Sequence, residues 1–222
     1  MRFIAATALL AAAVLCPPVA VAAPVGCGSL GGVVADGLCR VTENQPAFTV
    51  DAEFPLGYPD EQAVVDYLKQ TRDGLVNATE DPGAGNLPYE LNVTAESLRS
   101  AQTRSVVLTL FENVGSAHPT TWYKSFTYDV ARGRAVTFDT LFAPGSAPLQ
   151  IIFPIVQREL ETKTGLAGSI SEGDGLDPAH YQNFAVTDDA VTFYFGRAEL
   201  LPSYAGAASV SIPRNVLPPL QL

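Results

Sequence analysis

The chain has 222 residues, with 13 basic against 23 acidic side chains and a formal net charge of −10. So acidic a chain repels phosphate backbones and anionic head groups, and its basic residues form no cluster tighter than Arg132-Gly133-Arg134, so nucleic acid and anionic membrane surfaces are not expected as partners. A hydrophobic share of 47% with 16% charge puts it on the globular side of the disorder boundary.

The chain opens with Met1-Arg2, an almost unbroken apolar run from Phe3 to Leu15, then Pro17-Pro18 and the small residues Ala20-Val21-Ala22-Ala23. That layout predicts a secretory signal peptide over residues 1–22, cleaved after Ala22, with Ala23 nearly as good a site. The run of about 13 residues is too short to cross a bilayer, which needs about 20. Cys16 follows Leu15 where lipidation wants a small residue, so the exported chain is expected to be free, without a stable membrane anchor. Only Arg2 among the charged residues is lost, which makes that chain slightly more acidic. Cys27 and Cys39 remain. In an oxidising compartment this isolated pair, separated by the Gly-rich stretch Gly28 to Leu38, is most simply a disulfide that staples an amino-terminal loop. A metal or redox pair would want CxxC spacing or a nearby His. Residues 23–222 read as a single domain, with no internal repeat and no linker.

Ala47 to Phe54 alternates as a strand, ended by Pro55 and Gly57. Pro59 at a first helical position, with Asp60 and Glu61 in the first turn, opens a helix whose core face is Val64, Val65, Leu68 and Leu75. Lys69 and Arg72 are read as riding near its carboxyl end. Asp81 to Asn86 is loop by composition. Tyr89 to Ser97, Arg104 to Asn113 and Thr120 to Val130 predict an antiparallel meander, with Trp122, Lys124, Phe126 and Tyr128 on one side. Arg132-Gly133 turns the chain back to Ala135-Val136-Thr137, and Phe138 to Phe142 forms one helical turn. Ser146 to Gly165 is the second helix, stopped by Gly165. Pro154 implies either a start near Phe153 or a kink. A Gly- and Asp-rich loop (165–178) precedes a hairpin of Asn183 to Thr187 and Val191 to Phe195, and Ala208 to Pro213 is the last strand. Strands grouped around two principal helices predict an α+β fold with mainly antiparallel sheet.

Recognisable catalytic signatures are few in this chain. G-x-S-x-G, P-loop, dinucleotide-binding and HExxH patterns do not occur. With two histidines and both remaining cysteines in the expected bridge, a zinc site lacks ligands, and no cofactor or metal is expected. Glu172-Gly173-Asp174-Gly175-Leu176-Asp177 lacks the alternating carboxylates and terminal Glu of an EF-hand and reads as a solvated loop. His118, before Pro119, reads as a turn residue that hydrogen-bonds the backbone. His180, in Asp177-Pro178-Ala179-His180-Tyr181, has the alternative reading of a general base oriented by Asp177 or Asp188. No serine is singled out, so the catalytic set is unassigned. Asn77-Ala78-Thr79 and Asn92-Val93-Thr94 match the glycosylation acceptor pattern, relevant only in a eukaryotic secretory route.

Tyr58-Pro59-Asp60, Thr71-Arg72-Asp73, Pro88 to Asn92, His118-Pro119-Thr120-Thr121, Phe153 to Gln157, Gly175 to Pro178 and Tyr181 to Thr187 resemble the mycobacterial secreted immunogenic antigen family. The similarity runs from the signal peptide to the last strand. The segment from Phe193-Tyr194-Phe195 through Glu199-Leu200-Leu201-Pro202 to Tyr204-Ala205-Gly206 resembles the RsiV-type extracellular domain, about residues 146–222. That domain occurs in lysozyme-sensing anti-sigma factors and some peptidoglycan-modifying enzymes. The first resemblance implies a secreted single-chain α+β antigen, a monomer, that binds a host or cell-envelope protein and has no established universal catalytic machinery. The second makes lysozyme a candidate partner, toward which an acidic surface would steer. The transmembrane helix and cytoplasmic region of an anti-sigma factor are not found, so only the binding idea transfers. The function expected is therefore a non-catalytic extracellular interaction protein, with a secreted carboxylesterase using His180 or His118 as general base as the alternative.

Overall fold

A computed structural model describes residues 25–81, 86–115 and 118–222. The expected signal peptide, its cleavage at Ala22 and Cys16 lie outside these residues, as does most of the expected loop after Asp81. The elements are α1 (Val25–Ser29), β1 (Val33–Ala35), β2 (Leu38–Asn44), β3 (Phe48–Pro55), α2 (Glu61–Ala78), β4 (Tyr89–Arg99), β5 (Thr103–Asn113), β6 (Thr120–Asp129), β7 (Arg134–Val136), α3 (Phe138–Leu141), α4 (Leu149–Thr164), α5 (Glu172–Gly175), β8 (Phe184–Val186), β9 (Ala190–Phe195) and β10 (Ala208–Pro213). The fold is α+β, with α2 and α4 as the two long helices.

β1 to β7 form one sheet in sequence order. All its neighbours are antiparallel except β3 and β4, which pair in parallel with Val50 opposite Leu91. Helix α2 supplies the crossover that a parallel pair requires. Its apolar stripe, Val64, Val65, Leu68 and Leu75, is buried with Phe54, Leu91, Val93, Leu108 and Leu110 in one core. β8, β9 and β10 form a second sheet in the order β10-β9-β8. There Phe193, Phe195, Val210 and Ile212 meet Ile152, Val156 and Leu160 of α4 in a second core.

Strand alternation lets each sheet serve two neighbours. Val107 of β5 packs with Ala185 and Tyr194 of the small sheet. Polar contacts join the same two faces: Thr127 Oγ1 donates to the Phe184 carbonyl at 3.0 Å, and Ser125 Oγ accepts from Phe184 N at 2.7 Å. The layers therefore run helix, large sheet, small sheet, helix.

The amino-terminal segment is more regular than its composition suggests. Instead of a stapled loop it forms the β1–β2 hairpin, with Ala35 opposite Leu38 across Asp36-Gly37. Both turn residues have positive φ, 54° and 77°, the conformation that Asp-Gly supplies in two-residue hairpins. A disulfide joins Cys27 of α1 to Cys39 of β2. Gly32 sits against it, because a Cβ there would lie 2.7 Å from Cys39 Sγ.

Three further expectations need correction. Helix α2 begins at Glu61, so Pro59 stands before the cap residue Asp60. It also continues to Ala78, leaving Lys69 and Arg72 mid-helix, where side-chain ion pairs hold them: Lys69 with Asp73, and Arg72 bidentate to Glu43 at 2.6 and 2.7 Å. Of the two readings of Pro154, a start near Phe153 is excluded: helix α4 starts at Leu149 and runs through the proline, with Gly165 closing it in the left-handed conformation as expected. Burial of Ile152, Phe153 and Val156 on either side of the proline outweighs the one backbone bond it cannot donate. The expected loop 165–178 contains α5, capped by Ser171 Oγ accepting from Asp174 N at 3.1 Å.

Candidate functional site

His180 lies on a 3-10 turn, Pro178–Tyr181, that begins with proline at its first position. Tyr181 anchors this turn: it is fully buried, its ring packs against Phe138, Phe193 and Phe195, and its hydroxyl donates to the Gly175 carbonyl at 2.8 Å. His180 is thereby held half-buried beside the loop that leaves β9.

The acid that faces it is neither of those expected from the sequence. Asp177 is engaged as the cap of the turn, its carboxylate accepting from Ala179 N at 2.8 Å. Asp188 accepts from Ala101 N at 2.8 Å, across on the β4–β5 hairpin. Glu199, the one acidic residue between β9 and β10, comes instead to His180, with Nδ1 and Oε1 3.8 Å apart. Its other oxygen accepts from Gly196 N at 2.6 Å. Gly196 backs onto Trp122, where a Cβ would lie 3.2 Å from Trp122 Cβ. The loop is further tied to β6 by Arg197 N donating to the Thr121 carbonyl at 2.8 Å. Burial pushes the Glu199 carboxyl above its ordinary value, against the lowering pull of the Gly196 N–H and His180.

Chemically this is a half-buried imidazole with a carboxylate on its Nδ1 side and Nε2 left for proton transfer. Among the described residues no serine or threonine hydroxyl is hydrogen-bonded to His180. His118 is exposed ahead of β6. Two carboxylates of the 172–177 segment are turned to local structure, Asp174 accepting from Ser171 Oγ at 2.7 Å and Asp177 from Ala179 N at 2.8 Å. No group of three or more His, Cys, Asp or Glu side chains positioned for a metal ion occurs among the described residues.

A family model described as a protein of unknown function (DUF3298) matches residues 139–215, from α3 to just past β10. This stretch includes His180 and Glu199. Over its full length the chain is 49% identical to a Mycobacterium tuberculosis (strain ATCC 25618 / H37Rv) protein named Esterase Rv3036c, with 100% of each chain covered. It is 42% identical over 207 residues to Immunogenic protein MPT64 of the same strain, with 91% of each covered. Its fold resembles a DUF3298 family protein from Pseudomonas aeruginosa PAO1, with a TM-score of 0.59 and 12% identity over 81% of this chain and 91% of that one. With that identity spread over nearly the whole length, the chain belongs to the family of the mycobacterial immunogenic protein MPT64.

Proposed function

We propose that this protein is an exported carboxylic ester hydrolase in which His180 is the general base and Glu199 its orienting carboxylate. The observation that carries the reading is the approach of Glu199 Oε1 to 3.8 Å from His180 Nδ1, near enough to stabilise an imidazolium, and Nε2 is assigned as the basic atom. The 49% full-length identity to a protein named an esterase supports it. With no serine or threonine hydroxyl hydrogen-bonded to His180 among the described residues, water is the nucleophile in this reading. His180 Nε2 takes a proton as the water oxygen bonds to the ester carbonyl carbon, Glu199 stabilises the imidazolium, and the imidazolium returns the proton to the departing alkoxide. The products are the carboxylic acid and the alcohol.

The test is hydrolysis of short-chain nitrophenyl esters by the purified protein, with His180→Ala and His118→Ala beside it. A lost general base costs about 10²–10⁴ in kcat, so His180→Ala should fall by that factor while keeping its melting temperature, and His118→Ala should not. No turnover by the wild type, or turnover that survives His180→Ala, overturns the assignment.

A second reading, recognition of a host or cell-envelope protein, is favoured by the net charge of −10 and by the 42% identity to a protein named as immunogenic. That charge would speed encounter with a basic partner such as lysozyme. Saturable, salt-sensitive capture of lysozyme supports this reading, and its absence from host and envelope extracts alike counts against it.

A further inference from the structure

A cavity of about 400 Å³ opens between the β3–α2 loop and the β4–β5 hairpin. It has the size of a small-molecule site. Pro55, Leu56, Pro59 and Val106 give it apolar walls, and Tyr58, Arg99 and Arg104 bring polar groups. Among the described residues no carboxylate lines it, although the chain as a whole is strongly acidic.

The arginine placement is unusual in itself. Arg99 and Arg104 are direct cross-strand partners at the closed end of the hairpin, and like charges directly opposite destabilise a sheet. Arg40, Arg72 and Arg132 each meet a carboxylate. Arg99 has no hydrogen bond or ion pair among the described residues. Arg104 is steadied by Nη1, which donates to the carbonyls of Ser100 at 2.9 Å and Thr103 at 2.8 Å. Its Nε and Nη2 have no partner among the described residues.

Tyr58 adds an independent sign. Its side chain is 8% exposed, its ring packs edge-on against Phe126 and Tyr128, and its hydroxyl has no hydrogen-bond partner among the described residues. The oxygen is not one of the fully buried atoms left without a partner, so it reaches accessible space beside the cavity that Tyr58 lines. Burial, and then the charge of Asp60, push its pKa up, so the hydroxyl keeps its proton and is a donor at neutral pH.

We infer that this cavity binds an amphiphilic carboxylate, with Arg99 and Arg104 on the carboxylate, the Tyr58 hydroxyl donating to it, and the apolar walls around the body of the ligand. A guanidinium fork fits a carboxylate in two parallel hydrogen bonds, and the anion relieves the repulsion between the two arginines. The inference does not depend on the ester-hydrolase reading, since neither histidine lines the cavity.

Titration calorimetry of the purified protein with octanoate, octanol and inorganic phosphate tests it. Octanoate should bind saturably and at least about tenfold more tightly than either of the others, because it alone offers both charge and apolar body. Arg99→Gln, Arg104→Gln and Tyr58→Phe should each weaken octanoate. Without ligand, Arg99→Gln should melt no lower than wild type, since it removes the like-charge contact. Octanol binding as well as octanoate overturns the carboxylate site, and phosphate binding as well overturns the role of the apolar walls. Absence of saturable octanoate binding, unchanged affinity in the arginine variants, or a lower melting point for ligand-free Arg99→Gln overturns the inference outright.

Discussion

Gly175→Ala provides a sharp test of how the second core is packed. Gly175 ends α5 and is buried, and a Cβ at that position would lie 2.0 Å from Cε2 and 2.2 Å from Cδ2 of Phe153, a residue of α4 that is itself buried in the second core. Its φ is not positive, so backbone strain plays no part. Helix propensity alone would favour alanine by about 1 kcal/mol. The steric term opposes this: the ring cannot leave a packed core without losing contacts, and overpacking of this kind costs about 1–3 kcal/mol. The same shift would disturb the Gly175 carbonyl, which accepts from the Tyr181 hydroxyl below His180. A 2.0 Å approach puts the steric cost at the upper end of that range, so about 1–2 kcal/mol remains after the propensity gain; for a chain of this size about 1 kcal/mol moves the melting temperature by about 2–4 °C, and a fall of about 2–8 °C is expected by calorimetry. Gly173→Ala is the control, because its Cβ would meet nothing nearer than Ser171 Oγ at 3.7 Å; with no steric cost to oppose helix propensity it should be as stable as wild type or up to about 1 kcal/mol more stable. Gly175→Ala combined with Phe153→Leu should cost less than the two singles together, with a coupling of at least about 0.5 kcal/mol. A Gly175→Ala protein that melts at or above wild type refutes the packing argument.

Replacing both Cys27 and Cys39 by serine should cost about 3 kcal/mol through the freed loop, a drop of roughly 6–12 °C in melting temperature; an unchanged melt refutes it. Asp129 is fully buried, and although burial alone would raise its carboxyl, bonds from Arg132 Nη1 at 2.7 Å and Arg132 N at 2.9 Å hold it below the ordinary value of 3.8. A carboxyl lowered on folding stabilises above its unfolded pKa and loses that contribution as pH falls through the folded one. Asp129→Asn should therefore be less stable than wild type at neutral pH, with the gap closing below about pH 4 in a series of melts; a gap independent of pH refutes the assignment.

The acidic composition, the amphipathic stripe of α2, the meander of β4 to β6, the β8–β9 hairpin and β10 were all legible in the sequence. Their signal is local: periods of 3.6 and 2 expose themselves within a dozen residues. The β1–β2 hairpin was missed: Asp36-Gly37 carries a turn signal, but its strands are short and set among glycines that read as loop. Whether the helix could extend on both sides of Pro154 was left open, because local sterics set its cost, whereas the compensation comes from the second core around Ile152 and Val156. Partner choice lay further from reach. Asp177 is the nearer acid to His180 along the chain, yet its carboxylate is spent on the turn, and the β9 exit delivers Glu199 from nineteen positions away. Stacking of the two sheets through Thr127 and Phe184, the parallel pairing of β3 with β4, and the opposition of Arg99 to Arg104 likewise depend on register between segments. Composition and periodicity thus determined an acidic α+β chain and most of its elements. The tertiary structure alone decided which side chains face one another, because a contact between distant segments depends on how the whole chain closes and leaves no period in the sequence.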